Sequence, residues 1–559
     1  MKLINLAALA LVFVILYNLL FFHVDLGIGN GIFYLLLHIF FFITRNQGGY
    51  ATKNTKNLDY AISSSAIAII FAFLFSSIGN GFVQFIDVLL AILFSSIALF
   101  FYQYEPRFSL NLPNFLLIPL SSFFQTVSNL LNIFESKEKI SGSKENELTP
   151  SFIRGGVIAL VLVGVLLWLL TKGDLVFGTI VNNFLSSIWE RLIFSALVFI
   201  SLMNFGLIKI RKHISWLDNE VSPKLGKVQE LAIIIGSIIA LFTLFMTVQF
   251  RYLFLPVGEM DLREIGISSA TYSEYVRAGF TELLFAAGIV GGVLIYVSRY
   301  THTLLARQKG IIQILATILT LENGLILVSA TKRLFLYMDA HGLTRAREFG
   351  FAFLIWLSFI LAILLIGIIH RISRQAQTKL VLSVTLVILI SINLINLDEL
   401  IAEKYPPTVN QEIDYTYLTS LSTDAYKSWV PAINEGEKIL MDLSSKQKIE
   451  AEDYRKFIYV RNSLWNIQQQ HLQYLQDKYG PKDLQAKDRV PVADLSRMRA
   501  WQAFNLSEYF AYQHIRDNKE IFNKVPKLLE QANQIDQKVS MEVRNSTQFD
   551  RSTNTPLTY

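Results

Sequence analysis

The sequence predicts an all-α integral membrane protein, a polytopic transmembrane helix bundle of about 11 spans with a C-terminal soluble helical domain. Hydrophobic residues make up 52% of the chain and charged residues only 17%, whereas soluble domains carry about 25% charged residues. The apolar residues form runs, within roughly the first 400 positions, that are long enough to cross a bilayer. Beyond these runs charged residues become frequent, and apolar residues recur at helical spacing.

The apolar runs define the predicted transmembrane helices in chain order. A spanning helix needs about 20 mostly apolar residues, and these runs are too long and too continuous for the alternating strands of a membrane barrel. The predicted spans are 3–22, 28–44, 60–78, 83–102, 152–170, 192–208, 231–250, 278–298, 311–338, 349–369 and 380–397.

The composition between and after the spans divides the chain. Residues 1–134 are predicted to contain membrane hairpins and an amphipathic interfacial helix, and 135–151 a flexible linker. The core membrane domain is 152–397, the soluble helical domain 398–545 and the disordered tail 546–559. The first two hairpins each contain the letters Ile-Gly-Asn-Gly, at positions 28–31 and 78–81. These repeats indicate either a duplicated hairpin or two independent tight turns built from the same residue types.

The distribution of Lys and Arg predicts the topology. Basic residues concentrate in alternate loops, which places the N-terminus in the cytoplasm and the C-terminal domain outside it. The expected location is a cytoplasmic membrane, with the lipid bilayer as the principal partner. One basic cluster falls on the outer side against this rule: Lys332, Arg333, Arg345 and Arg347.

Either a span is miscounted or this cluster has a function, in which case an anion is expected to compensate it. It could come from the preceding outer loop, which carries Glu259, Asp261, Glu264 and Glu274. It could also be an anionic lipid headgroup, phosphate or carboxylate ligand, which Arg can bind through two hydrogen bonds. We expect internal pairing for Arg333, which lies deeper, and contact with an anionic lipid or ligand for Arg345 and Arg347.

Charged residues inside spans are the remaining candidates, because they are costly in a bilayer. Glu322, Arg333 and Tyr337 share one face of the ninth span, where a carboxylate suits a proton relay, a cation site or a structural ion pair. Glu282 shares a face with Tyr275 in the eighth span, and Arg277 is its nearest basic partner in sequence.

Several classes of function are excluded or disfavoured. The chain contains no cysteine, which excludes disulfides, thiolate metal sites and cysteine nucleophiles. It contains no metalloprotease, phosphate-loop, nucleophile-elbow or dinucleotide motif. We therefore predict no metal, no cofactor and no catalytic residue. The net charge of +6 is modest, and the basic residues flank apolar runs, which argues against nucleic acid as a partner.

Four stretches resemble a bacterial membrane family of unknown function, domain of unknown function 4153/4173. The most recognisable is Thr271-Tyr-Ser-Glu-Tyr-Val-Arg-Ala-Gly-Phe280 followed by Glu282-Leu283. Gln249-Phe-Arg-Tyr-Leu-Phe254 precedes it, and the stretch from Ser329 to Arg347, which includes Asp339, is similar to the family's Arg-Leu-x-Leu-Tyr and Gly-Leu-Thr-Arg pattern. Trp501-Gln-Ala-Phe-Asn-Leu-Ser507 is similar to its C-terminal motif. The resemblance spans roughly 150–510 and implies the fold without an activity.

Three functions remain open on the sequence. The first is a membrane-anchored binding or sensory component that recognises a cell-envelope protein through 398–545. The second is a transporter of a small ion or solute that uses intramembrane Glu and Arg. The third is a membrane enzyme that acts on a lipid-linked substrate, which the absence of a catalytic motif disfavours. The large outer domain favours the first.

Overall fold

A computed structural model describes residues 3–21, 24–47, 55–103, 228–254, 280–300, 306–370, 372–409, 412–446, 451–479 and 501–549, with a few isolated positions between 115 and 202 and at 449. These residues are almost entirely helical. Apart from the helices, they contain one hairpin of two-residue strands, β1 (Thr408–Val409) and β2 (Glu412–Ile413), which pair antiparallel with Thr408 opposite Ile413.

Nine long apolar helices precede the hairpin in the described part of the chain. They are α1 (Leu3–Phe21), α2 (Ile28–Gln47), α3 (Thr55–Leu74), α4 (Gly81–Gln103), α5 (Val228–Phe254), α6 (Phe280–Tyr300), α7 (Ala306–His341), α8 (Arg345–His370) and α9 (Arg374–Ile395). Each coincides with a predicted span. The predicted span 152–170, the linker 135–151 and nearly all of the interfacial helix 114–134 lie outside the described residues, and the span 192–208 is described only at isolated positions.

Five of these helices are long and apolar enough to cross a membrane by length and composition. They contain the segments Asn57–Leu74, Gly81–Tyr102, Gly310–Asp339, Arg345–His370 and Gln375–Ile395. Four others carry shorter apolar segments. The helical class predicted from the sequence is thus confirmed, and the apolar helices indicate a membrane-embedded protein. The total of about 11 spans stays a prediction.

The remaining helices follow the membrane helices in sequence. They are α10 (Leu397–Lys404), α11 (Tyr415–Ser420), the 3₁₀ helix Thr423–Ser428, α12 (Trp429–Ser445), α13 (Ala451–Asn466), a π-helical turn (Ile467–Leu472), α14 (Gln473–Tyr479), α15 (Leu506–Asp517), α16 (Lys519–Phe522) and α17 (Val525–Phe549). Helix α17 reaches four residues into the predicted tail, whose other residues, 550–559, lie outside the described part.

The chain forms two compact units. The first comprises Met1–Ser76, Gln84–Asn219 and Val490–Phe504. Its helices pack through aromatic side chains, as where the rings of Phe13 and Phe40 meet edge to face with 5.0 Å between centroids. The first residues of α2 are bound by the C-terminal motif: the amide nitrogens of Ile28 and Gly29 donate to the carbonyl oxygens of Phe504 and Gln502, both at 2.9 Å.

The second unit comprises Ser77–Val83, Glu220–Arg489 and Asn505–Tyr559. Helices α5 to α8 bury one apolar cluster, which includes Ile235, Leu294 and Leu319. A second cluster joins Leu343, between α7 and α8, to Ile401 and Leu418. The helices that follow α11 enclose a separate core around Trp429, Phe457 and Leu464. The predicted domain boundary at 398 therefore lies inside this unit, and an independent soluble domain stays a prediction.

A buried histidine marks the centre of the C-terminal core. The ring of His471 stacks on Trp429 with 4.5 Å between centroids and an interplanar angle of 22°. Its Nε2 lies 2.9 Å from the carbonyl oxygen of Thr419, so the neutral ring donates its proton there. Burial lowers the pKa of His471 to about 4. The folded core therefore requires the uncharged imidazole.

We expect this histidine to make the fold acid-sensitive. The pKa is about 4 in the folded chain and about 6.5 in an unfolded one, so the stabilisation is present above pH 6.5 and is lost as the pH falls toward 4. Between pH 7 and pH 5 the loss is about 2 kcal/mol. Denaturant unfolding of wild type and His471→Gln over this range measures it, because the variant has no imidazole to charge.

The control is His370→Gln, which changes an exposed histidine at the end of α8. It should keep the wild-type dependence on pH. Equal slopes of unfolding free energy against pH for wild type and His471→Gln would contradict the assignment.

Candidate functional site

The second unit contains a buried polar cluster built from four chain segments. We call Asn80, Arg345, Asp398, Ser422 and Asp424 the Asp398 cluster. They come from the turn before α4, the first residue of α8, the start of α10 and the beginning of the 3₁₀ helix. The cluster brings two buried carboxyl groups, Asp398 and Asp424, together with a guanidinium from a distant segment, so it is the first candidate for a functional site.

Asp398 stands at its centre. Its side chain is fully buried and forms an ion pair with Arg345, whose Nε donates to Oδ1 at 2.7 Å and whose Nη2 donates to Oδ2. Asn80 donates to Oδ1 at 3.1 Å, and Ser422 donates to Oδ2 from its backbone nitrogen at 3.1 Å and from its hydroxyl at 2.5 Å. Five donors therefore compensate the desolvation of one carboxylate.

Asp424 is the second carboxyl of the cluster. It is 2% exposed and accepts from the backbone nitrogen of Gly79 at 2.7 Å and from Nδ2 of Asn396 at 3.2 Å. The Ser422 hydroxyl lies 3.0 Å from Oδ2 of Asp424 and also contacts Asp398, but a single hydroxyl proton can serve only one of them. Burial raises the pKa of Asp424, and the charge of Asp398 raises it further.

The turn before α4 places its polar groups in this cluster. The side-chain oxygen of Asn80 caps α4 by accepting from the nitrogens of Phe82 at 3.1 Å and Val83 at 3.3 Å, while its amide donates to Asp398. Asn505 donates to the carbonyl oxygen of Ile78 at 3.0 Å. The second Gly-Asn-Gly copy thus forms a helix-capping turn whose backbone and side chain also bind carboxylates.

Glu348 lies one helical turn after Arg345, on the same face of α8. Its side chain belongs to a residue only 4% exposed, and both carboxyl oxygens are buried without a hydrogen bond from any described residue. The sequence analysis did not single out this residue. Buried carboxyls in proteins are normally paired, so Glu348 requires an explanation.

Arg347 lies in the first turn of α8, and its guanidinium contacts the C-terminal end of α7. Gly342 ends that helix with φ of 70°, the left-handed conformation of a helix C-cap. The guanidinium of Arg347 donates to the carbonyl oxygens of His341, at 3.3 Å, and Gly342, and it covers the Tyr337 ring at 4.0 Å. Two of the predicted site residues, Tyr337 and Arg347, are therefore in contact.

The other predicted residues are spread along the helices. Glu322 accepts from the Thr243 hydroxyl at 2.6 Å, and its other oxygen is buried without a hydrogen bond from a described residue. Arg333 is 5% exposed, and Asp339 is exposed. Glu282 lies in α6, but its side chain is outside the described part. Tyr275 and Arg277, like the four acidic residues of the preceding loop, lie outside the described residues.

The partner of Arg345 is thus an internal carboxylate that sequence reasoning missed. Asp398 directly follows the last apolar run, so the sequence places it at a domain boundary and does not indicate that it is buried. Asn80 and Asp424 were missed as well, although the Gly-Asn-Gly repeat pointed to the turn that contains Asn80. Among the described residues no three His, Asp or Glu side chains are placed to hold a metal ion.

Comparison with known proteins yields a family and no activity. Residues 62–431 match the model of a family described as "Domain of unknown function (DUF4153)". The match includes the whole Asp398 cluster and ends before the Trp501 motif. The chain matches no curated protein and no solved structure.

Proposed function

Since this chain belongs to the DUF4153 family, whose description carries no activity, we propose from geometry that it is a membrane-anchored binding or sensory component of the bacterial cell envelope. In this proposal helices α10 to α17 receive a partner protein outside the cytoplasm. The observation that carries it is the Asp398 cluster. Its ion pair joins the first residue of α8, an apolar helix long enough to span a membrane, to α10, the first of the C-terminal helices.

An ion pair between α8 and α10 can transmit a binding event at the C-terminal helices to the membrane helices. A carboxylate held by five oriented donors fixes several segments at once, so displacement of one strains the others. The C-terminal helices also present exposed aromatic side chains, including Tyr459 (47% exposed) and Trp465 (52%). Aromatic residues are enriched at protein interfaces, which supports this surface as the receiving one.

The proposal requires the C-terminal helices to face the cell envelope. Alkaline phosphatase, which is active only outside the cytoplasm, should therefore be active when fused after Tyr559. The same fusion after His370 should be inactive, because that end of α8 is expected in the cytoplasm by the charge rule. Phosphatase activity in intact cells measures both.

A photo-reactive residue in place of Trp465 completes the test. We expect one discrete adduct in intact cells, and none when the group replaces buried Phe457. An inactive phosphatase after Tyr559, with a fluorescent cytoplasmic reporter active at the same site, would rule out an envelope partner.

A transporter is the second candidate, and Glu322 is the observation that favours it. This carboxylate lies within a segment long and apolar enough to span a membrane, and one of its oxygens is buried without a hydrogen bond from a described residue. Ser329, which is fully buried, and Arg333 follow on the same face of α7. An intramembrane carboxylate in this setting is suited to a proton or cation pathway.

The proposal also includes an anion bound at Arg345 and Arg347, although both arginines already have partners within the chain. Arg345 already pairs with Asp398 and Arg347 with the end of α7. An anionic lipid or ligand would therefore meet guanidinium groups that are already oriented, with the Arg345 side chain still 34% exposed.

A further inference from the structure

The buried charges around Asp398 do not balance. Asp398, Asp424 and Glu348 are 0%, 2% and 4% exposed, and the guanidinium of Arg345 is the cation that interacts with this group among the described residues. If all three carboxyls were ionised, the cluster would bury two uncompensated negative charges. Such burial is costly, and proteins avoid it by binding a proton or another cation.

The hydrogen bonds show which carboxyl lacks compensation. Asp398 has five donors, and Asp424 accepts from Gly79 and Asn396. Glu348 accepts from no described residue although both of its oxygens are buried.

We propose that Glu348 is a cation-binding carboxyl, which takes up a proton or a sodium ion and so removes one of the two uncompensated negative charges. The titratable groups that face it in the described part are Arg345 on its own helix, Asp398 on α10 and Tyr417 on α11. This site needs no protein partner, so it stands apart from the proposed function.

Cation binding makes stability depend on the cation. The loaded, neutral site belongs to the folded chain, so loss of the cation destabilises it. In detergent, at constant ionic strength set with choline chloride, the wild-type melting temperature should fall by about 5 °C between about pH 7 and about pH 9.5. Replacement of choline by sodium should reverse the fall if sodium binds and leave it unchanged if the ligand is a proton.

The Glu348→Gln variant tests whether Glu348 causes the dependence of the melting temperature on pH and sodium. The amide keeps the size of the side chain and needs no cation, so this variant should melt at one temperature across the range and in both salts. Glu403→Gln is the matched control, because that carboxylate is 38% exposed and pairs with Lys427. It should melt with the wild-type dependence.

A wild-type melting temperature that responds to neither pH nor sodium would overturn the proposal, and so would a wild-type response that persists in Glu348→Gln. If that variant yields no folded protein, the wild-type chain is treated with dicyclohexylcarbodiimide, which modifies protonated buried carboxyls. Mass spectrometry should then find Glu348 modified near neutral pH and less so when pH or sodium is raised. An unmodified Glu348 near neutral pH would also reject the site.

Discussion

Replacing Asp398 with alanine is expected to lower the free energy of unfolding by about 3–5 kcal/mol, the usual cost of breaking a buried ion pair by removing one partner. The substitution leaves Arg345 without its carboxylate and removes the acceptor for Asn80 and Ser422. Denaturant unfolding of the full-length chain in detergent measures the loss.

Two controls separate the cluster from a general effect of lost charge. Glu403→Ala removes an exposed carboxylate from the same helix, α10, while its partner Lys427 keeps Glu399. Exposed pairs contribute about 0–1 kcal/mol, so this variant should unfold nearly as wild type does. The second control is Arg345→Ala combined with Asp398→Ala, which should be less destabilised than the sum of the two single variants. Additive losses would show that the pair does not act as a unit.

The helices could be predicted from the sequence because their signal is local. An apolar run of about 20 residues determines a membrane helix whatever lies beside it, and the nine predicted spans that the structure describes coincide with helices. The same reasoning placed Glu322, Arg333 and Tyr337 on a single helix, where the structure has them. It could not tell that Tyr337 would receive the guanidinium of Arg347, since that contact depends on how α7 ends at Gly342.

The candidate site could not be predicted because its contacts are long-range. Asp398 joins residues 53 positions before it and 24 after it, and Asn80 is 318 positions away. Charge counting along the sequence predicted an anion beside the basic residues near 345, and the structure gives Arg345 an internal one. The sequence offered the preceding outer loop and an anionic lipid or ligand as sources of that anion. It could not indicate Asp398, because a single chain gives no information on which later segment returns to the same place.

The turn before α4 offers the sharpest test of how the cluster is held, because two glycines lie two residues apart in different surroundings. A Cβ atom on Gly79 would overlap the Thr423 hydroxyl and stand 2.7 Å from the Ser507 hydroxyl, whereas one on Gly81 would meet no atom within 4 Å. Thr423 and Ser507 are buried and hydrogen-bonded to each other at 2.7 Å, so neither can move away without breaking that bond.

We therefore expect opposite signs from two identical substitutions. Gly79→Ala should lower the free energy of unfolding by about 3 kcal/mol, which combines overpacking with loss of the hydrogen bond from the Gly79 nitrogen to Asp424. Gly81→Ala should raise it by about 0.5–1 kcal/mol, since Gly81 is the first residue of α4 and alanine favours a helix. Unfolding of both variants beside wild type measures the difference. If Gly79→Ala were as stable as Gly81→Ala, the turn would not be held against Asp424, and the Asp398 cluster would lose the segment that contributes Asn80.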